Sequence, residues 1–277
     1  MKLGVTMFAT DLSVPLLDLA REAEARGYHS LYVPEHTHIP TSRRTPPPTG
    51  DEVLAEEYKR TLDPFVALGA AAAVTDSILL GTGIALVAQR DPVVLAKEVA
   101  TLDVISGGRF VLGVGFGWNH EEMQTHGVDV KCRRALVRES MLAMRELWSK
   151  ERASFDGRFV RLEESWSWPK PVQQPAPRTL IGGAPGPKLF AHIAEYADGW
   201  MPIGGAGIAR ALPDLRRAFE DAGRDPSSID VVPFGTLPDR DKLDYYGQLG
   251  VREVVLRIPS APAATVMPLL DEYAQFL

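Results

Sequence analysis

The sequence predicts an α/β protein: one (β/α)8 TIM barrel over residues 1–277, with insertions after the second strand and after the fourth helix. Three observations predict it. Short apolar runs alternate with helical patterns from end to end. Eight such pairs can be counted. The 277 residues suit one barrel and leave room for a large core.

The first strand is expected at Leu3–Phe8, followed by a helix that Ser13 caps and Pro15 opens. Leu16, Leu19, Ala20 and Ala23 share one face of that helix, and Gly27 ends it. Ser30–Pro34 is the second strand. Residues Thr37–Lys59 show no apolar period and contain Pro46-Pro47-Pro48, so they read as a long loop that can cover a site. Asp63-Pro64 starts a helix reaching Ala73. Ile78–Ala88 is the third strand, and Asp91-Pro92 caps a helix that stops at Gly107-Gly108. Arg109–Gly115 is the fourth strand, and Arg133–Lys150 the fourth helix. Arg152–Pro177 reads as a second irregular insertion. Strands five to eight are expected at Thr179–Ile181, Gly199–Pro202, Ile229–Phe234 and Val251–Ile258. Helices follow near Pro187, over Leu212–Ala222, over Arg240–Leu249, and to Phe276. An open doubly wound sheet is the alternative, but Phe8-Ala9-Thr10-Asp11 lacks the glycines of a dinucleotide fingerprint.

Composition narrows the function classes. Hydrophobic residues make up 45% and charged residues 24%, the balance of a globular protein in water. The formal net charge of −6 argues against nucleic acid or an anionic membrane as partner. A single cysteine, Cys132, excludes an internal disulfide and reads as structural. No apolar stretch approaches a membrane span, and the N-terminal run is too short for a signal peptide. A cytoplasmic location and a small-molecule partner are therefore expected.

In such a barrel the chemistry sits just beyond the C-terminal ends of the strands. Ile181-Gly182-Gly183-Ala184-Pro185-Gly186-Pro187 lies between a strand and a helix there. Glycines admit a ligand close to the backbone, and the helix start offers amide donors to a phosphate; the same residues also suit a plain tight turn. His36, directly after strand two, can exchange a hydrogen bond or proton with a bound ring, or can simply pack beneath the loop. His36-Thr37-His38 resembles a metal pair, but no histidine follows strands five, six or eight, and His192 falls inside a helix, so no metal is expected. Gly113-Val114-Gly115-Phe116-Gly117-Trp118-Asn119 opens space at the mouth. The Asn119 amide can pair with a ring edge, Trp118 reads as a cover, and Glu121 and Glu122 read as the start of a solvated turn. Gly81 and Gly83 mark a bulge or a close backbone approach.

Taken together, Ser30-Leu31-Tyr32-Val33-Pro34-Glu35-His36, Leu80-Gly81-Thr82-Gly83-Ile84, Leu102 to Phe110, Leu112 to Trp118, Ile181-Gly182-Gly183 and Ala197-Asp198-Gly199-Trp200 resemble the luciferase-like monooxygenase superfamily, and within it the F420-dependent oxidoreductases of actinobacterial type. The resemblance implies a deazaflavin, coenzyme F420, in the barrel mouth and hydride transfer to or from an organic substrate. FMN with oxygen, in a monooxygenase, is the first alternative. A cofactor-binding protein without turnover and a metal-assisted hydrolase are others. By the resemblance, His36 is the catalytic residue beside the ring, and Gly83-Ile84 forms a non-prolyl cis peptide behind it. Glu35, Gly115 and Asn119 belong to the cofactor site, and Gly182, Gly183, Ala184, Pro185 and Gly186 hold its phosphate. Arg43, Arg44 and Lys188 are candidates for the anionic tail. A homodimer is also implied. The chain departs from the sugar-phosphate dehydrogenases of the superfamily: their glutamates after strand one and strand four are replaced by Phe8-Ala9-Thr10 and Phe116-Gly117-Trp118, and Glu35 stands in place of an aspartate.

Overall fold

Apolar strand segments assemble into one curled parallel sheet of nine strands, in a computed structural model that describes residues 1–47, 50 and 53–277. Pro48, Thr49, Asp51 and Glu52, in the insertion expected after the second strand, lie outside the described residues. The strands are β1 (Lys2–Thr6), β2 (Ser30–Val33), β3 (Leu79–Thr82), β4 (Phe110–Val114), β7 (Arg178–Gly182), β8 (Gly199–Met201), β9 (Asp230–Val231), β10 (Phe234–Thr236) and β11 (Glu253–Arg257). Their order is β10-β11-β1-β2-β3-β4-β7-β8-β9. The intervening β5 (Ala153–Asp156) and β6 (Arg161–Ser165) form a separate antiparallel hairpin. The helices are α1 (Leu16–Ala25), α2 (Pro64–Ala72), α3 (Pro92–Ile105), α4 (His120–Thr125), α5 (Arg133–Ser149), α6 (Pro187–Tyr196), α7 (Ile208–Asp221), α8 (Arg240–Gln248) and α9 (Ala263–Ala274). Among the described residues, no helix is long and apolar enough to cross a membrane.

The seventh expected strand is split. β9 pairs with β8 and β10 pairs with β11, and only Val232 and Pro233 stand between the two halves. The Val232 N–H donates to Trp200 O at 2.9 Å, and the Pro233 carbonyl accepts from Val255 N at 2.9 Å. The proline has no N–H to give the ladder, which is why the strand breaks there.

The sheet has two apolar faces. Its outer face and the helices share the larger core, with Leu3, Val5, Leu31, Leu80, Leu112 and Val254 fully buried. Its concave face holds a second cluster that includes Tyr32, Val111, Leu180, Met201, Phe234 and Val255. Tyr32 fits because β3 offers Gly81: a Cβ there would stand 2.3 Å from the Tyr32 ring. Below this cluster a buried ion pair spans the strands. Glu253 accepts from Ser30 Oγ at 2.6 Å and from Arg178 Nη1 at 2.9 Å, and Arg178 Nε donates to Asp230 at 2.9 Å.

The two Asp-Pro starts behave as their chemistry dictates. Asp63 Oδ1 accepts from Phe65 N and Val66 N, and Asp91 Oδ1 from Val93 N and Val94 N, with proline at the first helical position of α2 and α3. Ser13 does not cap α1. It exchanges hydrogen bonds with Thr10, and Pro15 takes the cap position without a side-chain bond. The third strand is shorter than expected. β3 ends at Thr82, the Gly83–Ile84 peptide is cis, and Glu35 takes the Leu86 N–H at 2.6 Å, so that amide is lost to the ladder. A 3-10 turn over Val87–Gln89 follows. Within 152–177, β5 and β6 appear where an irregular segment was expected. Most of their side chains face water, so no apolar alternation marks them.

Candidate active site

The C-terminal ends of β2, β3, β4 and β7 converge on one mouth. After β2 the chain places Glu35 and His36, both buried. His36 Nδ1 lies 2.7 Å from Glu122 Oε2, and Glu122 is fully buried with its other oxygen accepting from Thr37 N at 3.1 Å. The expectation of a solvated turn at Glu121-Glu122 is thus overturned for Glu122. Asn119 caps α4 and accepts from Glu122 N at 3.4 Å, which turns the first helical turn, and the Glu122 carboxylate with it, toward His36. Among the described residues, no hydrogen-bond partner is found for His36 Nε2.

Asn119 is 1% exposed, and its Nδ2 is buried with no protein partner among the described residues. Aromatic rings wall the same corner. Tyr58 and Trp118 stand 5.4 and 5.6 Å from the His36 ring, Phe8 packs 4.7 Å from Tyr58, and the Arg43 guanidinium lies 5.8 Å over Trp118. Tyr58 comes from the long insertion, on a 3-10 turn over Glu56–Lys59. Glu121 ties the insertion down, accepting from Arg44 N at 2.9 Å and Thr45 Oγ1 at 2.6 Å. The Thr45 hydroxyl, helped by the Arg44 amide, holds the Glu121 carboxyl down at about 2.

The floor is built from absent side chains. A Cβ on Gly115 would lie 2.1 Å from Ile84 Cδ1, one on Gly182 would lie 3.2 Å from Ile84 Cγ2, and one on Gly83 would lie 2.3 Å from Phe234 Cζ. Ile84 therefore sits across three strand ends because two of them carry no side chain. Glu35 supports this segment from behind. Its oxygens accept from Leu86 N at 2.6 Å and Arg90 Nε at 2.7 Å, and burial pushes its carboxyl up against the opposing pull of Arg90. Beyond Gly182 the chain turns through Gly183, with φ at 150° and its carbonyl held by Trp200 Nε1 at 2.9 Å. Ala184 and Pro185 are exposed, and no side chain caps the first turn of α6.

Two groups form at the C-terminal edge of the sheet: His36 and Asn119 meet through Glu122, and Ile84, next to Gly83, lies over Gly115 and Gly182. Glu35 faces Leu86 and Arg90. His38 stands apart, with its Nδ1 3.0 Å from Thr37 Oγ1 and its ring 5.5 Å from His126. Lys188 is exposed at the start of α6. Glu122 and Tyr58 were not anticipated. Asn119-His120-Glu121-Glu122 has capping-box spacing, which marks a helix start but not which way its glutamate points.

Comparison with known proteins bears on this site. A model of the luciferase-like monooxygenase family matches residues 14–241. An uncharacterized Mycobacterium tuberculosis protein is 45% identical over 277 residues, covering 99% of this chain and 98% of its own length. An F420-dependent glucose-6-phosphate dehydrogenase from Nakamurella multipartita is 30% identical over 78% of this chain, which spans 61% of that enzyme's length. Among solved structures, a monooxygenase from Streptomyces bottropensis (TM-score 0.79, 22% identity) and an F420-dependent secondary alcohol dehydrogenase (TM-score 0.78, 19% identity) each match over all of this chain and 98% of their own, a likeness of fold. The chain belongs to the luciferase-like monooxygenase family.

Proposed function

We propose that this chain is an oxidoreductase that transfers hydride between coenzyme F420 and a small organic molecule, and that the curled sheet is the wall of a closed (β/α)8 barrel. Hydrogen bonds from residues 230–236 to both β8 and β11 support closure. The observation that carries the function is the Asn119 amide. A buried donor without a partner among the described residues is costly in a finished protein, and Asn119 caps the helix whose Glu122 pairs with His36. These residues fit a flat ring with a phosphate tail. Asn119 would hold its polar edge, Gly83, Ile84 and Gly115 would back it, and the Gly182-Gly183-Ala184-Pro185-Gly186 turn with the uncapped start of α6 would hold its phosphate.

Bound F420 would supply or accept the hydride. His36 exchanges the substrate's proton at the mouth. The Tyr58, Trp118 and Phe8 wall excludes water, and Arg43 over Trp118 covers its outer side. The glutamate that pairs with His36 supplies a carboxylate the departures after strands one and four had left missing, and so favours turnover over an inert binder. FMN with oxygen remains the second reading, favoured by the family's monooxygenase members. A homodimer is proposed through the exposed Val66 of α2 and Val93 and Val94 of α3, helices that contact each other.

His36→Ala tests the catalytic role. F420 affinity should stay nearly unchanged while turnover of small alcohols, followed as F420 absorbance, falls about 10²-fold or more. Equal loss of both would make His36 structural.

A further inference from the structure

Resting on the reading that His36 exchanges a proton at this mouth, we propose that Glu122 is a positioning residue that fixes His36 in the tautomer protonated on Nδ1, leaving Nε2 as the proton acceptor. Glu122 is fully buried, and each of its oxygens meets one group: Thr37 N at 3.1 Å and His36 Nδ1 at 2.7 Å. A carboxylate only accepts, so neutral His36 must present its proton on Nδ1. Nε2 is then a bare lone pair with no protein partner among the described residues. In alcohol oxidation that lone pair would take the hydroxyl proton, and bound F420 would be the acceptor for the C–H hydride. In the reverse direction Nε2 returns the proton to the carbonyl oxygen.

The Thr37 amide makes this assignment testable, because a backbone N–H can never become an acceptor. A glutamine at position 122 keeps the shape but has one acceptor oxygen and one donor nitrogen. If its oxygen serves Thr37, its NH₂ faces His36 Nδ1, which must then accept, and the ring proton moves to Nε2. The opposite rotamer sets NH₂ against the Thr37 N–H and leaves buried donors facing each other, which is the worse outcome. Glu122→Gln should therefore reverse the tautomer rather than merely loosen the ring.

The measurement is long-range ¹H–¹⁵N NMR of histidine-labelled protein without cofactor, at a pH above the ordinary histidine range. His36 is assigned by the signal lost in His36→Phe. The wild-type protein should show a pyrrole-like Nδ1 and a pyridine-like Nε2, and Glu122→Gln the reverse. With F420 bound, Glu122→Gln should lose about 10²-fold or more in kcat with KM little changed. A wild-type ring protonated on Nε2, or the same tautomer in both proteins, overturns the proposal. The wild-type spectrum alone decides if the variant does not fold. Failure to bind F420 would sink the functional reading while leaving the tautomer result standing.

Discussion

Gly115→Ala probes how the floor of the site is made. The new Cβ would stand 2.1 Å from Ile84 Cδ1 and 2.7 Å from Cγ1, where ordinary contact begins at 3.4 Å. Ile84 must therefore move by roughly 1.3 Å, the difference between those distances. Turning the terminal methyl alone does not relieve the clash, because Cγ1 is crowded as well as Cδ1. Overpacking of this kind costs about 1–3 kcal/mol, and the displaced side chain enters the space assigned to the cofactor. Ile84→Ala removes the clashing atoms. In the double variant the two costs should not add, and the shortfall should be about 1–3 kcal/mol. Urea unfolding of the two single variants, the double variant and the wild-type protein measures the coupling, and F420 titration of the same four proteins measures the site. Strict additivity, or a Gly115→Ala protein of unchanged stability and affinity, would refute this account of the floor.

Two further outcomes follow from the structure. Arg109 donates all five of its N–H groups: Nε to Ser106 O, Nη1 to Thr75 Oγ1 and Ile78 O, and Nη2 to Ala72 O and Thr75 O. It gathers carbonyls at the ends of α2 and α3, so Arg109→Ala should cost about 2–4 kcal/mol in denaturant unfolding. Arg109→Lys should recover only part, since an ammonium carries three donors. The Glu121 carboxyl is held down at about 2 in the folded protein, below its ordinary 4.5. Its tether is therefore fully present above about pH 4.5 and is lost as pH falls toward 2. Hydrogen exchange of the Arg44 amide should show protection fading across that window, and Glu121→Gln should flatten the dependence. A wild-type profile with no loss of protection there would contradict the assignment.

Much of the architecture was legible because local chemistry and global fold agree. Asp63-Pro64 and Asp91-Pro92 mark their helix starts, and His36 and Asn119 follow β2 and β4 while Gly182 ends β7, at the C-terminal edge of the parallel sheet. What sequence could not show was tertiary. The end of β3 depends on Glu35 capturing the Leu86 amide, a contact made 51 residues away. Proline at 233 splits a strand that reads as continuous. The hairpin β5–β6 is largely exposed and so leaves no apolar period. Glu122 reads locally as a surface residue after a cap, and only the fold brings it to His36, 86 positions earlier.

The central claim is that Asn119 Nδ2 is a donor waiting for a ring held at this mouth. Asn119→Asp tests it most directly, because the carboxylate can still accept from Glu122 N and cap α4 while the donor is lost. Equilibrium titration of both proteins with F420, and with FMN alongside, gives the answer. The account expects the wild-type protein to bind F420 in preference to FMN, and Asn119→Asp to bind it about tenfold or more weakly. A wild-type protein that ignores F420, or an Asn119→Asp variant that binds it equally well, would contradict the claim.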